Sequence, residues 1–281
     1  MCGPFKILKN ILRLLEAIFS ALALITIMFR GGMVNPWGIW CEFVWVFCTI
    51  VPLVFIVIEA LALNVLLETF ITSWADLTCG LTMLCAVMIT SASVIFAVIF
   101  VCSTCVTSII CLIFSLVATV IFLIDAVMQK MKCPSGYLSN LRGLLRMSEA
   151  FIACIIITAA SSYFLGVEVY FRPAGMIWSV FVFAVCLLVT VVIIIFRLLK
   201  ILQGLIPFGL GMIEFVFNIV AVLLYLSAII LWAVYGYSRH YEKSLYYCHY
   251  CVIRDLNTVT VGAIVNLILY IVDLALSFKD R

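Results

Sequence analysis

Four acidic side chains fall inside long apolar segments or at their edges. Glu42 and Glu214 lie within such segments, and Asp125 and Asp273 lie close to the ends of two others. An ionised carboxylate at the centre of a bilayer costs about 2.5–3.5 kcal/mol on insertion scales, so each group needs a partner or a function. A transporter would use them along an aqueous path, whereas a packed bundle would use them as hydrogen-bonding groups between helices. Both histidines lie in a polar loop and no Lys or Arg lies at the centre of an apolar segment, which favours the structural role.

Four of the thirteen cysteines lie where polar connections leave the apolar segments. Cys248 and Cys251 belong to the last polar loop, and Cys102 and Cys105 lie near a turn between two apolar segments. If these connections face an oxidising compartment, Cys248 and Cys251 can be oxidised to each other, or to Cys102 or Cys105. A structural zinc site needs about four ligands, and too few lie nearby. We therefore predict a disulfide on this face and no metal site.

A short charged motif occurs twice, each time at the start of an apolar segment. Residues 12–17 read Leu-Arg-Leu-Leu-Glu-Ala, and residues 145–150 read Leu-Arg-Met-Ser-Glu-Ala. The motif places Arg13 with Glu16, and Arg146 with Glu149, three residues apart on one helical face. We expect each arginine to extend to the lipid headgroups and each glutamate to be stabilised at a helix start. A specific partner-binding role for these pairs is the alternative.

Further matches extend this repeat along the chain. The pair Ile39-Trp40 recurs as Ile177-Trp178, and the segment that ends at Asp125 recurs in kind as the segment that ends at Asp273. These matches occur in the same order, as expected for two homologous halves with the same direction. We predict a first four-helix unit at residues 1–128, a cytoplasmic linker at 129–143 and a second four-helix unit at 144–281.

The composition identifies a lipid bilayer as the surroundings of these helices. Hydrophobic residues make up 68% of the chain and charged residues 10%, against about 25% charged in soluble domains. A helix needs roughly 20 mostly apolar residues to cross a bilayer. Eight segments qualify, near residues 11–29, 38–58, 77–100, 107–127, 144–161, 176–196, 208–232 and 256–278. The sequence therefore predicts an all-α integral membrane protein with eight transmembrane helices, the first of them retained rather than cleaved as a signal peptide.

Lys and Arg residues are distributed unequally between the two sides of this arrangement. Eleven fall on the side of the termini and five on the other side. Because cytoplasmic loops carry an excess of Lys and Arg, we expect both termini to be cytoplasmic. Cys2 and Cys133 lie on the same side beside the membrane, where they are candidates for reversible palmitoylation.

Common catalytic motifs are missing from the sequence. It has no P-loop, no Gly-rich dinucleotide turn, no His-Glu-x-x-His and no plausible Ser/His/Asp set. Nothing in it supports nucleic-acid binding. We therefore expect a protein that is not an enzyme, has no cofactor and binds no nucleic acid.

Three stretches of the second half resemble the myeloid-associated differentiation marker family, namely residues 143–156, residues 224–232 with Tyr235, and residues 263–275. The resemblance covers nearly the whole chain. Members of this family carry two MARVEL domains in tandem, each with four spans. The resemblance implies a non-enzymatic multi-pass protein of the plasma membrane or traffic vesicles, which organises lipid domains, membrane traffic or cell contacts.

The partners implied by this resemblance are membrane lipids, including cholesterol-rich domains, and other membrane or cortical proteins. An oligomer is compatible with it. A small-solute or ion transporter that uses the intramembrane carboxylates is the alternative function.

Overall fold

The chain divides into two compact units, Met1–Asn140 and Leu141–Arg281. The structure is a computed structural model that describes residues 4–29, 31–102, 105–132, 136–138, 140–166, 173–199, 210–240 and 249–279. Side chains are described over the same ranges except at residues 4–7, 239–240 and 249–251.

The first unit is a ring of four long helices. α1 packs against α2 and α5, and α4 packs against the same two neighbours. A short helix, α3, follows α2. The bounds are α1 Pro4–Met28, α2 Pro36–Ala60, α3 Leu63–Leu67, α4 Trp74–Ile99 and α5 Val106–Lys132.

The second unit repeats this ring with its own four helices. α6 packs against α7 and α9, and α8 packs against the same two. The bounds are α6 Leu141–Leu165, α7 Ala174–Leu198, α8 Leu210–His240 and α9 His249–Lys279. The predicted all-α class is confirmed.

Eight of these helices are long and apolar enough to cross a membrane, which confirms the predicted number of spans. Their outward residues are themselves apolar, as Val94, Val98, Leu188 and Leu223 illustrate with more than half of each residue exposed. Apolar residues on the outside are expected where the surroundings are hydrocarbon rather than water. The chain is therefore an integral multi-pass membrane protein.

Local sequence signals explain where two of the helices begin. Asn35 precedes α2, and its side chain accepts a hydrogen bond from the backbone N–H of Trp37, with Pro36 at the first helical position. Ser73 caps α4 in the same way by accepting from the backbone N–H of Asp76 at 3.3 Å. Both caps satisfy donors that a helix start leaves without an intrahelical partner.

The connection between the units is shorter than the predicted linker at 129–143, because α5 continues to Lys132 and α6 begins at Leu141. Part of this connection packs against the first unit. The backbone N–H of Leu138 donates to Oδ2 of Asp76 at 2.9 Å, and the Leu138 side chain is buried. Gly80 allows this approach, since a Cβ there would lie 2.7 Å from the Leu138 Cβ.

Candidate functional site

A cluster of polar and charged side chains lies at one end of the second unit, where α6 and α8 begin and α7 and α9 end. We call Arg142, Arg146, Glu149, Asn218 and Asp273 the second charged cluster. Arg146 lies in the second turn of α6, and its Nη2 is 2.8 Å from Oδ2 of Asp273 on α9. The same Nη2 donates to Oδ1 of Asn218 on α8 at 2.6 Å, and Asn218 Nδ2 donates to Asp273 Oδ2 at 2.7 Å. These three side chains join three helices.

The positive charges of two arginines are compensated by the negative charges of two carboxylates in this cluster. Arg146 Nη1 also donates to Oε2 of Glu149 at 3.3 Å, and Arg142 Nε lies 3.9 Å from Oδ1 of Asp273. The Arg146 guanidinium lies over the ring of Phe217 with 5.6 Å to its centroid, a cation–π arrangement. Because Arg146, Glu149 and Asp273 are buried, their charges depend on these neighbours for stabilisation.

Arg197 and Glu214 form a further ion pair near this end of the unit. Arg197, at the end of α7, donates through Nε to Oε1 of Glu214 at 2.6 Å and through Nη2 to Oε2 at 2.9 Å. The paired geometry matches the planar guanidinium to the carboxylate. It joins α7 to α8, so Glu214 is not an isolated intramembrane acid.

The first unit has a corresponding group of side chains, which we call the first charged cluster: Lys9, Arg13, Glu16, Glu59, Trp74 and Asp125. Oε1 of Glu59, at the end of α2, lies 2.8 Å from Nη1 of Arg13 and 3.3 Å from Nζ of Lys9. Trp74 Nε1 donates to the same oxygen at 3.2 Å. The ring of Phe55 lies beneath the Arg13 guanidinium, 4.9 Å from centroid to Cζ. Glu59 is thus the central acceptor of this cluster.

The two remaining acids of the first charged cluster are buried as well. Gln129 Nε2 donates to Oδ2 of Asp125, one turn away on α5, and also to the hydroxyl of Thr82 on α4 at 3.1 Å. Glu16 is 1% exposed, and its Oε1 has no hydrogen-bond partner among the residues that the structure describes.

The charge at one equivalent position is inverted between the units. Glu59 lies 20 residues after Ile39 of the first Ile-Trp pair, and Arg197 lies 20 residues after Ile177 of the second. Glu59 therefore meets cations from α1, whereas Arg197 meets an acid from α8. The two units have the same arrangement of helices, but opposite charges lie at the equivalent ends of α2 and α7.

The expected extension of the arginines to lipid headgroups is wrong. Arg13 and Arg146 are at most 1% exposed, and so are Glu16 and Glu149. α1 begins at Pro4 and α6 at Leu141, so the motif lies inside each helix rather than at its first turn. Its face therefore points into the four-helix interior, where the charges meet partners from other helices.

Two of the four intramembrane acids have an arginine partner, although no Lys or Arg lies at the centre of an apolar segment. Glu214 pairs with Arg197 and Asp273 with Arg146. Glu42 instead accepts from the backbone N–H of Met33 at 2.7 Å and stabilises the turn before α2. Glu59, Asn218 and Arg197 were not predicted as partners, because each is distant in the sequence from the side chain that it contacts. Glu59 and Arg197 could have been noticed, since they occupy equivalent positions of the repeat and are both charged.

Smaller polar networks lie deeper in each unit. In the first unit Trp45 Nε1 donates to the hydroxyl of Ser115 at 2.9 Å, and Ser93 lies 2.8 Å from the same hydroxyl. In the second unit the Thr190 and Tyr270 hydroxyls are 2.9 Å apart. Asn266 Nδ2 donates to the hydroxyl of Tyr225 at 2.6 Å. These contacts join helices of one unit in the apolar interior.

Two of the four candidate cysteines form a disulfide with each other, between α4 and α5, which is a pairing that the sequence did not predict. Cys102 and Cys105 are bonded to each other, with their Cα atoms 5.2 Å apart. A bond from either of them to Cys248 or Cys251 would require this bond to be exchanged. Cys248 and the side chain of Cys251 lie outside the described residues, as do the palmitoylation candidates Cys2 and Cys133, so those assignments stay predictions.

The fold and the charged clusters define a multi-pass helical membrane protein built from two four-helix units. The MARVEL family model, described as a membrane-associating domain, matches residues 137–276. Myeloid-associated differentiation marker-like protein 2 of Xenopus laevis is 30% identical, with 96% of this chain and 91% of the relative covered. The human protein of that name is also 30% identical, over 96% of this chain and 90% of its own length.

A third relative, the myeloid-associated differentiation marker homolog of Xenopus laevis, is 27% identical over 96% of this chain and 92% of its own length. The chain belongs to the myeloid-associated differentiation marker family, as its resemblance to that family implied. No solved structure matches it.

Proposed function

We propose that the protein is a non-enzymatic organiser of membrane assemblies, which acts on lipid domains, membrane traffic or cell contacts. The observation that carries this proposal is that charged side chains inside each unit form ion pairs with one another. Arg146 pairs with Asp273, Arg197 with Glu214 and Arg13 with Glu59, each time between two helices of one unit. Charges engaged in this way hold helices together and are not presented to a substrate.

A firmly held four-helix unit offers a fixed outer surface to its surroundings. That surface is apolar over the length of the spans, so membrane lipids and the spans of other membrane proteins are its partners. We include cholesterol-rich domains, cortical proteins and further copies of the chain among these partners. The proposal places the protein in the plasma membrane or traffic vesicles, with both termini cytoplasmic.

Giant plasma membrane vesicles with separated lipid phases test this function. The full chain with a fluorescent tag should enrich in the ordered phase, and cholesterol extraction should abolish the enrichment. Proximity labelling in the same cells should recover traffic or cell-contact proteins. Exclusion from the ordered phase, together with a labelled set no different from that of a tagged unrelated multi-pass protein, would reject the proposal.

Transport is a second candidate because polar side chains converge inside the second unit. Tyr270, Asn266 and Asp273 lie on α9, with Thr190, Tyr225 and Asn218 opposite them on α7 and α8. Flux of protons and common cations into proteoliposomes tests this candidate with the wild type, Glu214→Gln and Tyr270→Phe. A protein-dependent flux that either substitution abolishes would favour the transporter, and equal leakage with and without protein would exclude these ions.

A further inference from the structure

An open groove of about 630 Å³ runs along the outside of the second unit between α6 and α9. α6 contributes Phe151, Ile152 and Ile155 to it. α9 contributes a face that runs from Ile253 to Val265 and includes Gly262. Gly262 brings the two helices close together, since a Cβ there would lie 2.9 Å from Cγ1 of Ile156.

The groove is polar at one end and apolar along the rest. Arg254, Asn257 and Thr258 line it near the start of α9, where the candidate span begins at Val252. Arg254 contacts Asp255 at 3.1 Å and keeps 27% of its side chain exposed. The polar end therefore lies at a membrane boundary and presents a cation beside hydrogen-bonding side chains.

The length of the groove matches the depth of one leaflet. From Arg254 to Val265 an α-helix rises by about 16 Å. Half of the hydrocarbon core of a bilayer is about 15 Å thick. A molecule with its anionic group at Arg254 would therefore have its apolar part beside Val261, Gly262 and Val265.

The corresponding surface of the first unit carries a pair of aromatic rings in contact. Phe114 lies 11 residues before Asp125, as Gly262 lies 11 residues before Asp273. The Phe114 ring packs against Phe19, with 6.3 Å between ring centroids, and Phe19 is the counterpart of Ile152. At the polar end the counterpart of Arg254 is Val106. At these equivalent positions the second unit therefore has a glycine in place of an aromatic ring and an arginine in place of a valine.

We propose that this groove binds one phospholipid of the adjoining leaflet, with the phosphate at Arg254 and one acyl chain along the apolar part. The phosphate is selected by the Arg254 guanidinium: Asp255 accepts from its Nε and Nη2, and the remaining nitrogen, Nη1, is the donor for a phosphate oxygen at the boundary. The proposal rests on the chain crossing a membrane and not on the organising role. Its failure and the failure of the proposed function are therefore separate results.

Photolabelling of the full chain in phosphatidylcholine nanodiscs tests the site. A small fraction of the phosphatidylcholine carries a diazirine on one acyl chain, and mass spectrometry locates the adducts. Adducts on the groove residues should exceed those at the lipid-facing residues Leu188 and Leu223 by about tenfold, which corresponds to ~1.4 kcal/mol.

Three variants make the test specific. The pair Ile156→Ala with Gly262→Phe copies the residues at the equivalent positions of the first unit, Ala23 and Phe114, and should remove the enrichment. Arg254→Gln should lower it about fivefold, which is the upper range for the loss of one partly exposed ion pair, here with the lipid phosphate. Lys279→Gln is the matched control, because it removes a cation at the opposite end of α9 and should leave the enrichment unchanged.

The reverse exchange, which places residues of the second unit in the first, tests for a gain of lipid binding. Val106→Arg, Phe114→Gly and Ala23→Ile together open the corresponding surface of the first unit and should create enriched labelling there. Labelling spread evenly over all exposed spans would overturn the proposal, as would enrichment that survives the Ile156→Ala/Gly262→Phe exchange. Displacement of the label by cholesterol but not by unlabelled phosphatidylcholine would identify a sterol as the occupant and overturn the phospholipid.

Discussion

Nη2 of Arg146 lies 2.8 Å from Oδ2 of Asp273, and neither residue is more than 1% exposed. Asn218 contacts both side chains, so α6, α8 and α9 meet through one hydrogen-bonded group. Arginine is suited to this position because its planar guanidinium can donate to several acceptors at once. The pair holds together the beginning of one span and the end of another, although the two residues are far apart in the sequence.

Replacement of Asp273 by Asn should destabilise the second unit strongly. The amide keeps the shape of the side chain but leaves the Arg146 charge without its closest counter-charge, which costs about 3–5 kcal/mol for a buried pair. Chemical denaturation of the purified full chain in detergent micelles, followed by circular dichroism, measures the loss. Asp125→Asn is the matched control and should cost less, because the hydrogen-bonding partner of Asp125 is the neutral amide of Gln129. Equal losses in the two variants would contradict this prediction.

Arg197 and Glu214 should behave as a coupled pair. Glu214→Gln and Arg197→Gln should each lower the free energy of unfolding by about 1.5–3 kcal/mol, the range for hydrogen bonds to charged groups. The double variant should lose less than the sum of the single losses, because either substitution alone already breaks the pair. Lys279→Gln serves as a control for the loss of one cation. Strictly additive losses would show that the contact contributes nothing to stability.

Cys102 and Cys105 should be oxidised and should face away from the cytoplasm. On intact cells a membrane-impermeant maleimide should label neither thiol until a reductant is added. Cys105→Ser should leave Cys102 reactive without reduction, since its partner has been removed. Cys133 should react only after permeabilisation, because the distribution of Lys and Arg predicts that it is cytoplasmic. Free thiols at both positions in unreduced protein would reject the disulfide, and labelling of Cys133 in intact cells would reverse the orientation.

The spans could be predicted from the sequence because hydropathy and length are local properties. Each predicted apolar segment lies mostly within one helix, and the parallel repeat corresponds to two rings with the same order of contacts. The predicted helix ends were less accurate than the predicted spans. In α5, for example, the helix continues beyond its apolar part through Lys130 and Lys132. Hydropathy identifies where a helix enters the bilayer and not where its backbone hydrogen bonds stop.

The charged clusters could be predicted only in part. Spacing along one helix identified Arg13 with Glu16, but the closest acid to Arg13 is Glu59 on another helix. A spacing of three residues shows only that two side chains lie on the same face of one helix. Which acid of another helix an arginine contacts depends on how the helices pack. The burial of Arg13 has the same origin, because nine residues of α1 precede it and carry it into the interior.

The opposite charges of Glu59 and Arg197 affect how the chain can assemble. Homologous helices in one bilayer compete for each other's places, since they are alike in length and hydropathy. If α2 replaced α7, Glu59 would meet Glu214, and if α7 replaced α2, Arg197 would meet Arg13 and Lys9. Like charges in such a site repel strongly, so each exchange is disfavoured while each native placement is favoured. The two units share one arrangement of helices but are not interchangeable parts, and this distinction depends on one side chain in each.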